Sequence, residues 1–211
     1  MGRLPGFKGY WSDHKLFKPS VFRDVHQWEG WQKTMTKINT PANLMQKAIL
    51  MTLHQTGGRV SEVIQYGGKH FTEEDGLVLV HEAPLVKNKQ LTCRWDFYIE
   101  KTEPPMTAFL EYIDRPSVKE LLFPSMWGRK FISRQYVWHL CHDQLGVYPH
   151  WFRSMRAFCL TWFHRIPYDK LLGWFTWLDV ETAMHYTRPD PKHTAQLFTK
   201  SPPWSKENQN V

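Results

Sequence analysis

Three short stretches gather the residues able to do chemistry: TGGRVSEVI at 56–64, with Arg59 and Glu62; PHWFRSMRAF at 149–158, with His150 and Arg153; and LGWFTWLDVETAMHYTR at 172–188, with Trp174, Trp177 and Tyr186. A phenol becomes a nucleophile when a neighbour takes its proton, and an imidazole moves protons near neutral pH. A guanidinium keeps its charge at any working pH and offers a planar fork of donors to phosphate or carboxylate oxygens. Each residue taken singly has an ordinary use: packing for an exposed-looking tyrosine, helix-end charge for an arginine, a core stripe for tryptophans three apart. Together they describe an anion site beside a tyrosine hydroxyl.

Such a site needs rigid elements beneath it. Thr40 followed by Pro41 reads as a helix cap with proline at the first helical position, and Leu44, Ala48, Ile49, Met51 and Leu53 then recur at helical spacing. The glycines of TGG stop that helix, since glycine readily takes the left-handed backbone of a C-cap. A second short helix follows over VSEVIQ, placing Glu62 on the face of Arg59. The period changes within LVLVHEAPLVKNKQLTCRWDFYIE: Cys93, Trp95, Phe97 and Ile99 alternate with Arg94, Asp96, Tyr98 and Glu100, which predicts a half-buried strand with VKNKQ as the turn or strand edge before it. From PPMTAFLEYI to Tyr186 the helical pattern returns, interrupted at Pro116, Pro124, Gly128, Gly146, Pro149 and Pro167. The expected fold is α+β, mainly helical with a small antiparallel β-sheet.

Residues 1–39 read as a basic, aromatic N-terminal arm, residues 40–190 as the main domain, and residues 191–211 as a polar C-terminal tail whose PKHTAQLF segment could form one more short helix. Apolar residues make up 42% of the 211 and aromatics 15%, a composition that folds. Lys and Arg outnumber Asp and Glu by 27 to 20, giving a net charge of +7 and favouring a polyanionic partner such as nucleic acid. Cys93, Cys141 and Cys159 are odd in number and lack CxxC spacing, which argues against a disulfide framework or a zinc knuckle and for a reducing compartment. His139, Cys141 and His142 in HLCH lack the second half of a metal site, so neither a metal nor another cofactor is expected. Without an export signal or an apolar run of about 18 residues, the chain reads as neither exported nor membrane-spanning.

The three stretches, in this order and with a strand pair between the first two, resemble the catalytic domain of tyrosine recombinases, the phage integrase family. That family's pattern is a TG-x-R-x-SE turn, then H-x-x-R, then a His or Trp followed by the nucleophilic Tyr. The resemblance spans roughly residues 40 to 190. It implies a site-specific DNA strand transferase, acting through a covalent 3′-phosphotyrosyl intermediate. Its catalytic set would be Arg59, Lys87, His150, Arg153, Trp177 and Tyr186, supported by Glu62. Arg59 and Arg153 would hold the scissile phosphate, and His150 would assist proton transfer. Trp177 stands nine residues before Tyr186, the family's spacing, while LGW resembles the family's LGH and offers Trp174 instead. The hairpin lysine is Lys87 by position, with Lys89 the alternative.

Departures from the pattern are also visible. About 40 residues precede the catalytic pattern where the family commonly has a DNA-clamping domain; Gly58 replaces an apolar residue before Arg59; Ser154 and Met155 follow Arg153 where His and a small residue are common. They imply a distant branch, of archaeal or viral type. The implied partners are double-stranded DNA and further copies of the chain, in a tetrameric synapse with residues 189–200 exchanged between neighbours. The implied place is the cytoplasm of a prokaryote, or of a cell hosting a virus or mobile element. Two other outcomes share the fold: a catalytically silent DNA-binding protein, and a type IB-like DNA-relaxing enzyme.

Overall fold

The computed structural model describes residues 37–38, 41, 43–86, 96–101, 106–125, 130–162 and 164–187. Among them the element order is α1 (Leu44–Thr56), α2 (Val60–Val63), β1 (Phe71–Glu74), β2 (Leu77–Val80), β3 (Phe97–Glu100), α3 (Met106–Ile113), α4 (Arg134–Leu145), α5 (Pro149–Trp162), α6 (Tyr168–Phe175) and α7 (Val180–Thr187). The expected α+β architecture is the one observed, helical with a small antiparallel sheet.

Helix α1 opens at Asn43, whose Oδ1 accepts from the Met45 and Gln46 N–H groups at 2.9 and 3.4 Å. The cap expected at Thr40 is therefore Asn43, an amide oxygen that meets the unpaired first-turn donors at least as well as a threonine hydroxyl. Pro41 lies buried ahead of the helix rather than at its first position. Every residue of α1 from Ala48 to Thr56 is buried. A helix covered on all sides is a central one, and α1 packs against both α3 and α5.

The sheet has strand order β1-β2-β3, with Phe71 opposite Val80 and Val80 opposite Phe97. Val78, Val80, Phe97 and Ile99 turn into the core while Tyr98 and Glu100 face outward, the alternation expected of this stretch. Strand β1 was not foreseen, because FTEE is mostly polar and shows no period. Its signal was the dipeptide Asp75-Gly76: both residues take left-handed φ, 47° and 81°, the requirement of a two-residue hairpin turn. Cys93, Arg94, Trp95 and residues 87–90 of the VKNKQ turn lie outside the described residues, as do most of the N-terminal arm and the whole of the C-terminal tail.

Helix α5 is buried continuously from Trp151 to Leu160 and carries Arg153 and Arg156 into the interior. On one side of it Ala157, Leu160, Leu171, Phe175, Trp177 and Ala183 form a small second core, against which Tyr186 packs. Helix α7 is started by Asp179, whose carboxylate accepts from the Thr182 N–H at 2.6 Å and the Thr182 hydroxyl at 3.1 Å.

Gly57 ends α1 with φ 57°, and its N–H returns to the Leu53 carbonyl. A Cβ here would stand 2.6 Å from Phe175 Cε1 and 3.0 Å from Arg156 Cβ. Gly57→Ala should lower stability by roughly 2–4 kcal/mol, combining left-handed strain with overpacking. Gly146 closes α4 at φ 70° with nothing within 4 Å of its added Cβ, so Gly146→Ala should cost only the backbone share, about 1–2 kcal/mol. Denaturant titration of the two variants measures the difference; equal losses would mean the Phe175 and Arg156 side chains yield freely.

Candidate active site

Arg59 leaves α1 directly after the Gly57-Gly58 turn and caps α2. Its own N–H donates to Glu62 Oε2 at 3.1 Å, and its Nη1 donates to Glu62 Oε1 at 3.0 Å and to Thr176 Oγ1 at 3.2 Å. Glu62 is buried, whereas the Arg59 side chain keeps 19% of its surface open. The carboxylate thus fixes the arginine from the protein side, while part of the arginine side chain stays open to solvent.

Arg153 stands one helical turn beyond His150 on α5 and is only 2% exposed. Its Nη1 donates to the Gly57 carbonyl at 3.0 Å and its Nη2 to the Phe175 carbonyl. Its Cζ lies 4.8 Å from the Phe175 ring centroid and 5.4 Å from that of Trp177, so aromatic faces take up part of the charge. Burial, with repulsion from Arg59 adding to it, brings the Arg153 guanidinium down to about 10, which leaves it charged at neutral pH.

Tyr186 reaches this site from α7. Its hydroxyl is 2.6 Å from His150 Nε2, and its ring stacks on Trp177 with centroids 4.8 Å apart and planes 26° apart. The ring is half-buried, not exposed as its polar neighbours suggest. Burial pushes the phenol above its usual 10, opposed by the attraction of Arg153 and Arg59 for the phenolate. His150 is exposed and can serve the hydroxyl as proton acceptor or donor according to its tautomer.

The structure thus brings together Arg59, Glu62, His150, Arg153, Trp177 and Tyr186. The two tryptophans, of which spacing favours Trp177, stand in different surroundings. Trp177 lies between Phe175 and Tyr186, with centroids 4.5 Å from the former. Trp174 points to the sheet instead: it stacks on Phe97 at 4.3 Å, donates Nε1 to the Thr56 carbonyl at 3.0 Å and has Arg156 Cζ 5.2 Å above its ring. Lys87 and Lys89 lie outside the described residues. The HLCH residues do not converge. Cys141 is buried with its thiol pushed to about 12, while exposed His139 and His142 flank the Trp138 ring. Sequence reasoning missed Thr176, whose neighbours Phe175 and Trp177 gave no hint of a polar role.

No protein-family model matches the sequence, and no curated protein matches it significantly. Solved structures do match. The XerH site-specific recombinase bound to palindromic difH substrate superposes with a TM-score of 0.64 at 18% identity, covering 83% of this chain and 52% of that one. The XerA recombinase gives 0.61 at 16% identity, covering 82% and 62%. The Tn1549 transposon integrase in complex with transposon right end DNA gives 0.56 at 14% identity, covering 82% and 64%. The chain therefore has the fold of tyrosine recombinases, while spanning about half to just under two thirds of the length of these structures.

A buried phenol that resists ionisation is a measurable property. The phenolate absorbance near 295 nm that is lost in Tyr186→Phe should reach its midpoint above pH 10, because burial outweighs the two arginines. A midpoint at or below 10 would show that the cations prevail.

Proposed function

We propose that this chain is a DNA strand transferase of the tyrosine recombinase type. The reading is carried by one observation: the Tyr186 hydroxyl stands 2.6 Å from His150 Nε2 and within the electrostatic reach of Arg153 and Arg59. In the proposed reaction the Tyr186 oxygen attacks a backbone phosphorus, its proton passes to His150, and the bond from phosphorus to the 5′ oxygen breaks. The products are a 3′-phosphotyrosyl link and a 5′ hydroxyl, whose proton comes from Lys87, with Lys89 the alternative donor. Arg59 and Arg153 neutralise the non-bridging oxygens, on which charge builds in the transition state. Glu62 holds Arg59 in place, and Trp177 seats the tyrosine ring. Neither a metal nor a nucleotide is needed, because the phosphotyrosyl bond keeps the energy of the original ester for rejoining.

Attack on that bond by a 5′ hydroxyl of a second duplex gives site-specific recombination. The reading includes double-stranded DNA as substrate and a tetrameric assembly on two duplexes, with residues 189–200 exchanged between neighbours. XerH and the Tn1549 integrase were solved on their DNA substrates, which supports DNA as the partner here. The charge of +7 agrees, and predicts affinity that falls steeply with salt.

The test is a suicide-substrate assay, with nicked or 5′-phosphorothiolate duplexes drawn from DNA flanking the gene. Wild type should give an adduct that survives SDS, Tyr186→Phe none, and Arg153→Ala a rate lower by roughly 10²–10³. Wild type that binds such DNA tightly yet forms no adduct would instead support a catalytically silent DNA-binding protein. Relaxation of supercoiled plasmid by the monomer would assign the same chemistry to a type IB-like enzyme.

A further inference from the structure

Thr176 has a backbone its side chain should avoid. It follows α6 with φ 54° and ψ 41°, in the left-handed region, where a β-branched residue is a marked exception. The turn itself explains the conformation. The Trp177 N–H bonds the Leu172 carbonyl at 3.0 Å and the Thr176 N–H bonds that of Gly173 at 3.4 Å, the paired bonds of a helix end that glycine ordinarily closes. Glycine would make the same turn without strain. What glycine lacks is the hydroxyl, and the Thr176 hydroxyl accepts from Arg59 Nη1 at 3.2 Å in a site where Thr176 is 4% exposed.

We infer that Thr176 is a positioning residue for Arg59, its hydroxyl and the Glu62 carboxylate together setting the angle at which the guanidinium meets a phosphate. This rests on the reading of Arg59 as a phosphate ligand. Nη1 carries two hydrogens, and the two acceptors account for both. That leaves Nη2 and Nε for a phosphate, in a plane that the two contacts fix. Glu62 alone leaves the guanidinium free to swing about one contact; a second acceptor from another element removes that freedom. The same turn aims the Phe175 carbonyl at Arg153 and lays Trp177 under Tyr186. One strained residue thus registers both arginines and the nucleophile against each other, the kind of site at which left-handed non-glycine residues persist.

Two substitutions separate this role from simple packing. Thr176→Val keeps shape and branching without the hydroxyl, and Thr176→Ser keeps the hydroxyl with less bulk. On the phosphorothiolate duplex, Thr176→Val should form adduct roughly tenfold more slowly or worse, the value of a hydrogen bond to a charged group, and Thr176→Ser should stay within about threefold of wild type. In an Arg59→Ala background Thr176→Val should add little, since the effect passes through the arginine. The Arg59 guanidinium resonances of the free protein give a readout independent of cleavage: they should shift and broaden in Thr176→Val and keep the wild-type pattern in Thr176→Ser. Unchanged Arg59 resonances in Thr176→Val, or an equal slowing without Arg59, would overturn the inference. Wild type that forms no adduct while its Arg59 resonances still respond to Thr176→Val would leave the positioning role standing and remove the strand-transfer reading.

Discussion

The buried charge of Arg153 is the constraint around which this molecule is arranged. Taking a guanidinium out of water costs on the order of several kcal/mol unless its donors are met, and this one is almost wholly enclosed. The solution is to aim two carbonyls at it, one from the end of α1 at Gly57 and one from the end of α6 at Phe175. Helix C-termini carry partial negative charge, so both ends suit a cation electrostatically as well as geometrically. Helix α1 is therefore tied at a single side chain to α5 and α6, about a hundred residues further along the chain. Close approach of α1 to α6 in turn demands glycine at position 57, where any Cβ would run into Phe175.

A second guanidinium nearby makes the arrangement costlier, since Arg59 repels Arg153. Glu62 relieves part of that repulsion from its buried position beside Arg59. Two cations against one carboxylate leave a net positive site, and the open edge of Arg59 makes it accessible. A phosphate diester carries the compensating charge for such a site. On the proposed reading, binding energy from substrate offsets repulsion stored in the folded protein, and the arginines are held where charge accumulates in the transition state.

How much of this was legible in the sequence follows from where the signals lie. The TGG stop, the short Arg59 helix and the His150 to Arg153 spacing all depend on local rules: α1 ends before Gly57, α2 begins after Arg59, and His150 and Arg153 both lie on α5. Strand β1 was hidden because three polar residues in four carry no period, although Asp75-Gly76 announced its hairpin. Spacing favoured Trp177 over Trp174, but no local rule showed that the chain reverses between them at a left-handed threonine. A glycine there would have marked the end of α6 and set Trp174 and Trp177 on different elements. Thr176 concealed both the turn and its own contact with Arg59, since nothing in a sequence warns of a residue in an unfavourable conformation. Asn43 rather than Thr40 caps α1 for a simpler reason: both residue types are adequate caps, and the sequence alone does not rank them.

The balance at Tyr186 bears on the order of events in the proposed reaction. Burial raises the phenol, and among the described residues the opposing pull comes from Arg153 and Arg59. These are the groups assigned to the phosphate, and a bound phosphate anion would cancel much of their attraction for a phenolate. Substrate binding should therefore make free phenolate scarcer, not more abundant. Attack through a preformed phenolate is then the harder route, and proton transfer to His150, already 2.6 Å away, must accompany formation of the bond to phosphorus. A tyrosine that stays protonated until the phosphate is in place is also a tyrosine that does not react without it. On the proposed reading, burial of the ring on Trp177 thus keeps the nucleophile quiet, and the histidine releases it only in the company of its target.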